Sequence, residues 1–329
     1  MKEKFVIDTI FFGGGTPSLM DVSYIAEIIN SISKNFIVSE NAEITLETNP
    51  GTVSREKLNE FRKIGVNRVS IGVQSFDDDD LKFLTRIHTG KEAVKTVLDA
   101  ENIGISNISV DMIFNLPNQT KEKWEVNLEK AVKLPIQHIS AYSLILEKGT
   151  ILYKMVLDGK VKIGDDSFDA DLYQFTQDYL INNGFQQYEV SNFALPGFEC
   201  KHNQQYWNYG DYIGIGTGAH SFVNNKRWWN YKSLTFYLKS INEKRNSIAG
   251  SENLSKTEML EEFVMLALRG GGINIKRLDN EFTSNWLEKN NLKIMKYKKL
   301  GLLEITSESI KLTKQGYALC DEILTEFDY

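Results

Sequence analysis

The chain has 329 residues, of which 42% are apolar, 25% charged and only 5 proline. This is an ordinary globular composition and excludes a disordered or collagen-like polypeptide. The net charge of −6 argues against broad electrostatic binding to nucleic acid, and no apolar run approaches the length of a bilayer span. The opening residues Met1-Lys2-Glu3-Lys4 lead straight into a strand-like run, with no secretory core. Cys200 and Cys320 are the two cysteines. Their separation excludes a disulfide framework or a cysteine-rich zinc module and fits a reducing cytoplasm.

Along the chain, FVIDTIFF at 5–12 predicts a strand that ends at Gly13-Gly14-Gly15. A helical pattern follows through Ile25, Ile28, Ile29 and Ile32. Residues 43–48 predict a strand, broken by Asn49-Pro50-Gly51. Residues 54–64 predict a helix with Ser54 as its N-cap, and 68–73 a strand. The run Asp77–Asp80 suits a helix start, where the dipole favours negative charge. Then come a helix at 91–103 closed by Gly104, a strand at 105–114, a helix at 121–133 and a strand at 138–146. Five strand–helix units before Gly149 predict a parallel sheet. The strands read as mostly apolar, as expected when both faces are covered. A barrel-like α/β sheet fits better than a dinucleotide-binding sheet, because GxGxxG is absent after the first strand.

The second half reads differently. A helix is predicted at 167–182 and a short strand at 186–190, followed by a turn-rich aromatic stretch from 193 to 229. Helices at 254–268, 282–290 and 292–300 follow, with Gly270-Gly271-Gly272 as a helix stop. A hairpin at 302–312 around Ser307-Glu308 and a last helix at 313–324 complete a winged-helix-like module at about 255–329. Trp228-Trp229 reads as core or interface packing.

In a parallel barrel the ligand site lies at the C-terminal strand ends. Gly14, Gly15 and Thr16 follow the first strand; they suit close backbone approach to an anionic group, or simply a tight turn. Glu47 follows the second strand and suits a ribose, or a solvated charge. Gln74 follows the third, as a polar ligand partner or a helix-start hydrogen bond. Arg86 comes twelve residues later, as a carboxylate clamp or a surface ion pair. Asp111 sits inside an apolar strand, where a carboxylate is costly unless paired. Together these strand ends describe a pocket for an amino acid joined to a nucleoside.

The motifs FFGGGTPS, ITLETNPG, RVSIGVQSF, RIH and VDMIFNLPNQT, with LTKQGYALCDEIL near the C-terminus, resemble radical S-adenosylmethionine proteins of the oxygen-independent coproporphyrinogen III oxidase branch. The resemblance implies an α/β fold: a partial (β/α) barrel missing its first strand, plus the small C-terminal module. It implies that Gly14, Gly15 and Thr16 hold the methionine end of S-adenosylmethionine, and that Glu47, Gln74, Arg86 and Asp111 hold its polar and ribose groups. A second motif, HNxxYW at 202–207, follows YEVSNFA and precedes GIGTGAHS. It resembles the signature of HemW-type haem chaperones rather than the true oxidases. His202 beside Asn203, Tyr206 and Trp207 then offers an iron ligand and flat apolar contacts for a porphyrin, against the reading of a packed aromatic turn. His220 is a weaker candidate.

The superfamily carries CxxxCxxC for a [4Fe–4S] cluster, and this chain has no such motif. The expectation is that the cluster-bearing segment lies outside the chain, rather than that the chain is a degenerate, cluster-free homologue. The expected division is a barrel core at 1–200, a haem-motif segment and connector at 201–254, and the module at 255–329. The expected function is haem capture and delivery to an acceptor haemoprotein in the cytoplasm. Coproporphyrinogen III oxidation is the enzyme alternative. DNA reading by the C-terminal module is disfavoured by the acidic charge, since Lys293, Lys296, Lys298 and Lys299 suit a solvated helix face.

Overall fold

The computed structural model describes residues 5–282 and 285–329. The opening tetrapeptide, and the part of the expected 282–290 helix at 283–284, lie outside the described residues. The chain forms two compact units, Met1–His202 and Asn203–Tyr329.

The first unit is built from β1 (Val6–Phe12), α1 (Val22–Asn35), β2 (Ile37–Thr48), α2 (Arg55–Lys63), β3 (Arg68–Gln74), α3 (Asp78–Phe83), α4 (Gly90–Asn102), β4 (Asn107–Phe114), α5 (Lys121–Val132) and β5 (His138–Ser143). After these come α6 (Ile151–Leu157), α7 (Asp166–Asn182), β6 (Gln186–Gln187) and β7 (Asn192–Ala194). The seven strands form one sheet in the order β1-β2-β3-β4-β5-β7-β6. β1 to β5 are parallel, and β7 closes on β5 antiparallel. This is the expected partial α/β barrel. Local chemistry starts the helices. Ser54 caps α2 by accepting from Lys57 N, and Thr89 and Glu92 form a reciprocal capping box on α4. Asp77 caps α3 by accepting from Asp79 N and Asp80 N, so the aspartate run does begin a helix.

β3 is buried on both faces, and the strands alternate more sharply than the sequence suggests. Val69, Ile71 and Val73 of β3, Ile108, Val110 and Met112 of β4, and Ile139 and Ala141 of β5 join one apolar core with the helices. Trp124 of α5 is fully buried there, and its Nε1–H donates to Thr176 Oγ1 at 2.7 Å. The alternate positions are polar: Thr45 and Glu47, Arg68 and Ser70, Ser109 and Asp111, His138 and Ser140. They form the other face of the sheet, where Ser70 and Ser140 bond Asp111 and Ser109 bonds His138.

Helix α8 (Lys201–Trp207) crosses the boundary between the units. It lies inside the stretch read as turns, and the reason is not local. The Glu43 carboxylate, far back on β2, accepts from Lys201 N and His202 N, both at 3.2 Å, and so caps the helix from a distance. The second unit then forms a sheet of β8 (His220–Val223), β9 (Lys226–Asn230) and, beyond α9 (Leu234–Lys244), β10 (Ile248–Asn253). Trp228 and Trp229 lie on β9, half-buried. The rest is α10 (Lys256–Arg269), β11 (Ile273–Asn274), α11 (Ile275–Phe282), α12 (Trp286–Lys299), β12 (Leu303–Ile305), β13 (Ser309–Leu312), α13 (Lys314–Ala318) and α14 (Cys320–Thr325). Gly270 ends α10, and the hairpin forms as read. A third short strand, β11, joins it, and the expected last helix is split into α13 and α14. No helix among the described residues is long and apolar enough to cross a membrane.

Candidate functional site

The C-terminal ends of the parallel strands form a polar mouth. After β1, Gly14 and Gly15 take φ values of 79° and 73°. A Cβ at either would meet nothing within 4 Å. Glycine is therefore demanded by the backbone, and the space beside it is open to a ligand. Gly14 N–H donates to Glu47 Oε2 at 3.0 Å. Burial pushes the Glu47 carboxyl above its usual range; the Gly14 hydrogen bond opposes this and Asp111 adds to it. Thr16 Oγ1 accepts from Asn49 Nδ2 at 2.9 Å, and Asn49 Oδ1 faces Arg86 Nη1 at 3.5 Å. Gln74 ends β3 with φ 67°, a conformation that L residues seldom adopt. Asp111 accepts from Ser70 Oγ at 3.1 Å and is also hydrogen-bonded by Ser140. Burial raises its pKa despite those bonds and despite Arg68 and Arg86.

The structure thus brings the seven predicted residues of this mouth together. Glu47 binds the glycine loop, Arg86 and Thr16 share Asn49, and Asp111 is electrostatically coupled to both Glu47 and Arg86. Sequence reading missed Asn49, Ser70 and Ser140. In the sequence Asn49 reads only as part of a strand breaker. The two serines were readable from the alternation in RVSIGVQ and HISAYS, where polar residues recur at every second position.

A second polar cluster occupies the same sheet face nearer the strand starts. The His202 ring stacks on Phe11, with centroids 4.8 Å apart and planes at 18°. Its Nδ1 is 2.8 Å from Thr9 Oγ1. Its pKa is pushed down to about 4, by burial first; Arg68 adds to the effect and Glu43 opposes it. His202 is therefore a neutral imidazole at pH 7. Nearby, His138 lies between Ser109 Oγ at 2.7 Å and Tyr188 OH at 2.8 Å, and burial holds it neutral too. Arg68 is 2% exposed, and its Nε has no hydrogen-bond partner among the described residues. None of Thr9, Glu43 and Arg68 was a sequence candidate. Their roles depend on β-sheet register, which pairs Thr9 with Glu43 and Thr45 with Arg68.

In the second unit, Asn203 is half-buried and the Tyr206 ring meets Tyr212 edge-on at 4.7 Å. The Trp207 side chain packs over Gly270, where a Cβ would lie 2.5 Å from the Trp207 Cβ, and its buried Nε1–H has no hydrogen-bond partner among the described residues. His220 stacks on Trp229 across the β8–β9 pair.

Three groups can be weighed against these residues. The open glycine cradle, the carboxylates and the arginine fit a zwitterionic amino acid joined to a ribose. A neutral imidazole with its Nδ1 hydrogen-bonded fits an iron ligand. An iron–sulfur cluster does not fit. The two cysteines are buried in different units, and no group of three metal-ligating side chains occurs among the described residues.

Comparison with known proteins identifies the family. Residues 1–131 match the Radical SAM superfamily model, and residues 254–319 match the HemN C-terminal domain. The chain is 34% identical to the heme chaperone HemW of Lactococcus lactis over 97% of this chain and 84% of that protein. It is also 34% identical to HemW of Bacillus subtilis, over 98% and 85%. A zebrafish (Danio rerio) mitochondrial protein, radical S-adenosyl methionine domain-containing protein 1, is 38% identical over 80% of this chain and 61% of its own length. Among solved structures, coproporphyrinogen III oxidase HemN of Escherichia coli superposes with a TM-score of 0.82 at 21% identity, covering 97% of this chain and 77% of that one. That likeness establishes the fold. The near-full-length identity goes further: the chain belongs to the HemW family of the radical SAM superfamily.

Proposed function

We propose that this protein binds haem and passes it to an acceptor haemoprotein, with His202 as an iron ligand and Asn203, Tyr206 and Trp207 completing the haem motif. The observation that carries this reading is the state of His202. It is neutral, stacked on Phe11 and fixed through Nδ1 by Thr9, which is how a protein prepares an imidazole for iron. Its relatives named as heme chaperones support the reading. In the same proposal the strand-end mouth takes S-adenosylmethionine. Gly14, Gly15 and Thr16 receive its methionyl end, and Glu47, Gln74, Arg86 and Asp111 receive its charged and ribose groups. The family implies a [4Fe–4S] cluster as well, but the residues present do not supply its ligands, so no step is assigned to it here.

The test separates delivery from porphyrinogen chemistry. The protein is loaded with hemin, freed of excess, and mixed with an apo-haemoprotein immobilised on beads. The proposal expects a defined haem complex and movement of haem onto the beads. A parallel incubation holds coproporphyrinogen III, S-adenosylmethionine and a reductant. Decarboxylated porphyrinogen in that incubation, with no haem complex in the first, would overturn the proposal in favour of oxidase activity.

A further inference from the structure

The mouth contains a glycine that its backbone does not require. Gly72 sits inside β3, where glycine is unfavourable for want of a side chain to pack. It is absent from the residues with positive φ, so an L residue would fit the backbone. The β3–β4 register is irregular between Ile71 and Gln74, but such an irregularity at ordinary φ does not itself demand glycine. What Gly72 lacks is room. A Cβ there would lie 2.6 Å from Asn49 Oδ1 and 3.0 Å from Gln74 Nε2. The place of its side chain is taken by the Asn49 amide. That amide donates to Thr16 Oγ1 and presents its oxygen to Arg86. One side chain therefore joins the glycine loop to the arginine.

We propose that Asn49 is a positioning residue of the mouth, seated in the space that Gly72 leaves, and that it sets Thr16 and Arg86 for the methionyl end of S-adenosylmethionine. The inference rests on the S-adenosylmethionine reading given above. An amide suits this task because it donates and accepts at once. It holds the Arg86 guanidinium in place without neutralising it, so the positive charge stays available to a ligand carboxylate. Alanine would leave both groups without a fixed geometry, and the ordering cost would fall on binding.

The experiment is calorimetric titration of the whole chain with two probes. One is S-adenosylmethionine; the other is 5′-methylthioadenosine, which keeps the nucleoside and lacks the methionyl carboxylate and amine. Asn49→Ala and Gly72→Ala should each weaken S-adenosylmethionine binding about tenfold and leave 5′-methylthioadenosine within about twofold. Equal losses for both probes would mean general damage to the fold and overturn the inference. So would wild-type affinity in both variants. Glu47→Ala separates this inference from the reading beneath it. If Glu47→Ala weakens binding while Asn49→Ala and Gly72→Ala do not, the mouth stands and the positioning role falls. If the wild type binds neither probe, the mouth reading falls and takes the inference with it.

Discussion

Acid should expose the state of His202. Its folded pKa of about 4 lies below the ordinary 6.5, because burial and Arg68 outweigh the attraction of Glu43. The sign follows from which state binds the proton first. As pH falls through 6.5 the unfolded chain protonates and the folded one does not, so stability drains away and the loss is complete below about pH 4. For one such group the loss between pH 7 and pH 4.5 comes to about 2 kcal/mol. His138 pushes in the same direction, so wild type alone cannot isolate the effect. The comparison is with His202→Gln, which keeps a polar group near Thr9 and removes the titration. Urea unfolding of both at pH 7 and pH 4.5 should show the variant losing about 2 kcal/mol less than the wild type. An NMR titration of the imidazole should place its midpoint near 4. Parallel losses in the two proteins, or a midpoint near 6.5, would refute the claim that this imidazole is held neutral.

Asp111→Asn should stabilise the protein at pH 7 by about 0.5–2 kcal/mol while weakening S-adenosylmethionine binding. Its folded pKa is raised, so the carboxyl favours folding at low pH and that contribution is lost as pH rises through the folded value; urea midpoints at pH 4 and pH 7 measure the difference. Gly90→Ala should cost about 1–3 kcal/mol, because the added Cβ would lie 2.4 Å from the Phe76 backbone oxygen, which cannot swing away; a thermal midpoint unchanged from wild type would contradict this. Trp124→Phe should cost about 1–2 kcal/mol by removing the hydrogen bond to Thr176 from a fully buried site, read as a lower urea midpoint with an unchanged slope.

Much of the first unit was legible because its signals are local. Ser54, Asp77 and Gly104 mark helix ends by chemistry that acts within a few residues. The mouth was legible because strand ends are where a parallel sheet gathers ligands, and the glycine loop, Glu47 and Gln74 stand at such ends. What escaped depends on pairs distant in sequence. Helix α8 is capped by Glu43, more than 150 residues earlier, so nothing near Lys201 announces it. Which polar residues meet across neighbouring strands is set by register, which no single strand reveals. Asn49 hid inside a sequence that is also a turn signal, and its bond to Thr16 appears only when β1 and β2 lie side by side. The short strand β11 is two residues long and exists only by pairing with β13.

The most direct measurement is a hemin titration of the wild type and His202→Ala, followed through the Soret band. The account predicts a saturable, shifted Soret band for the wild type, and for the variant an affinity weaker by about tenfold or more with the shift lost. Superimposable titrations of the two proteins would contradict it and remove His202 from the haem site.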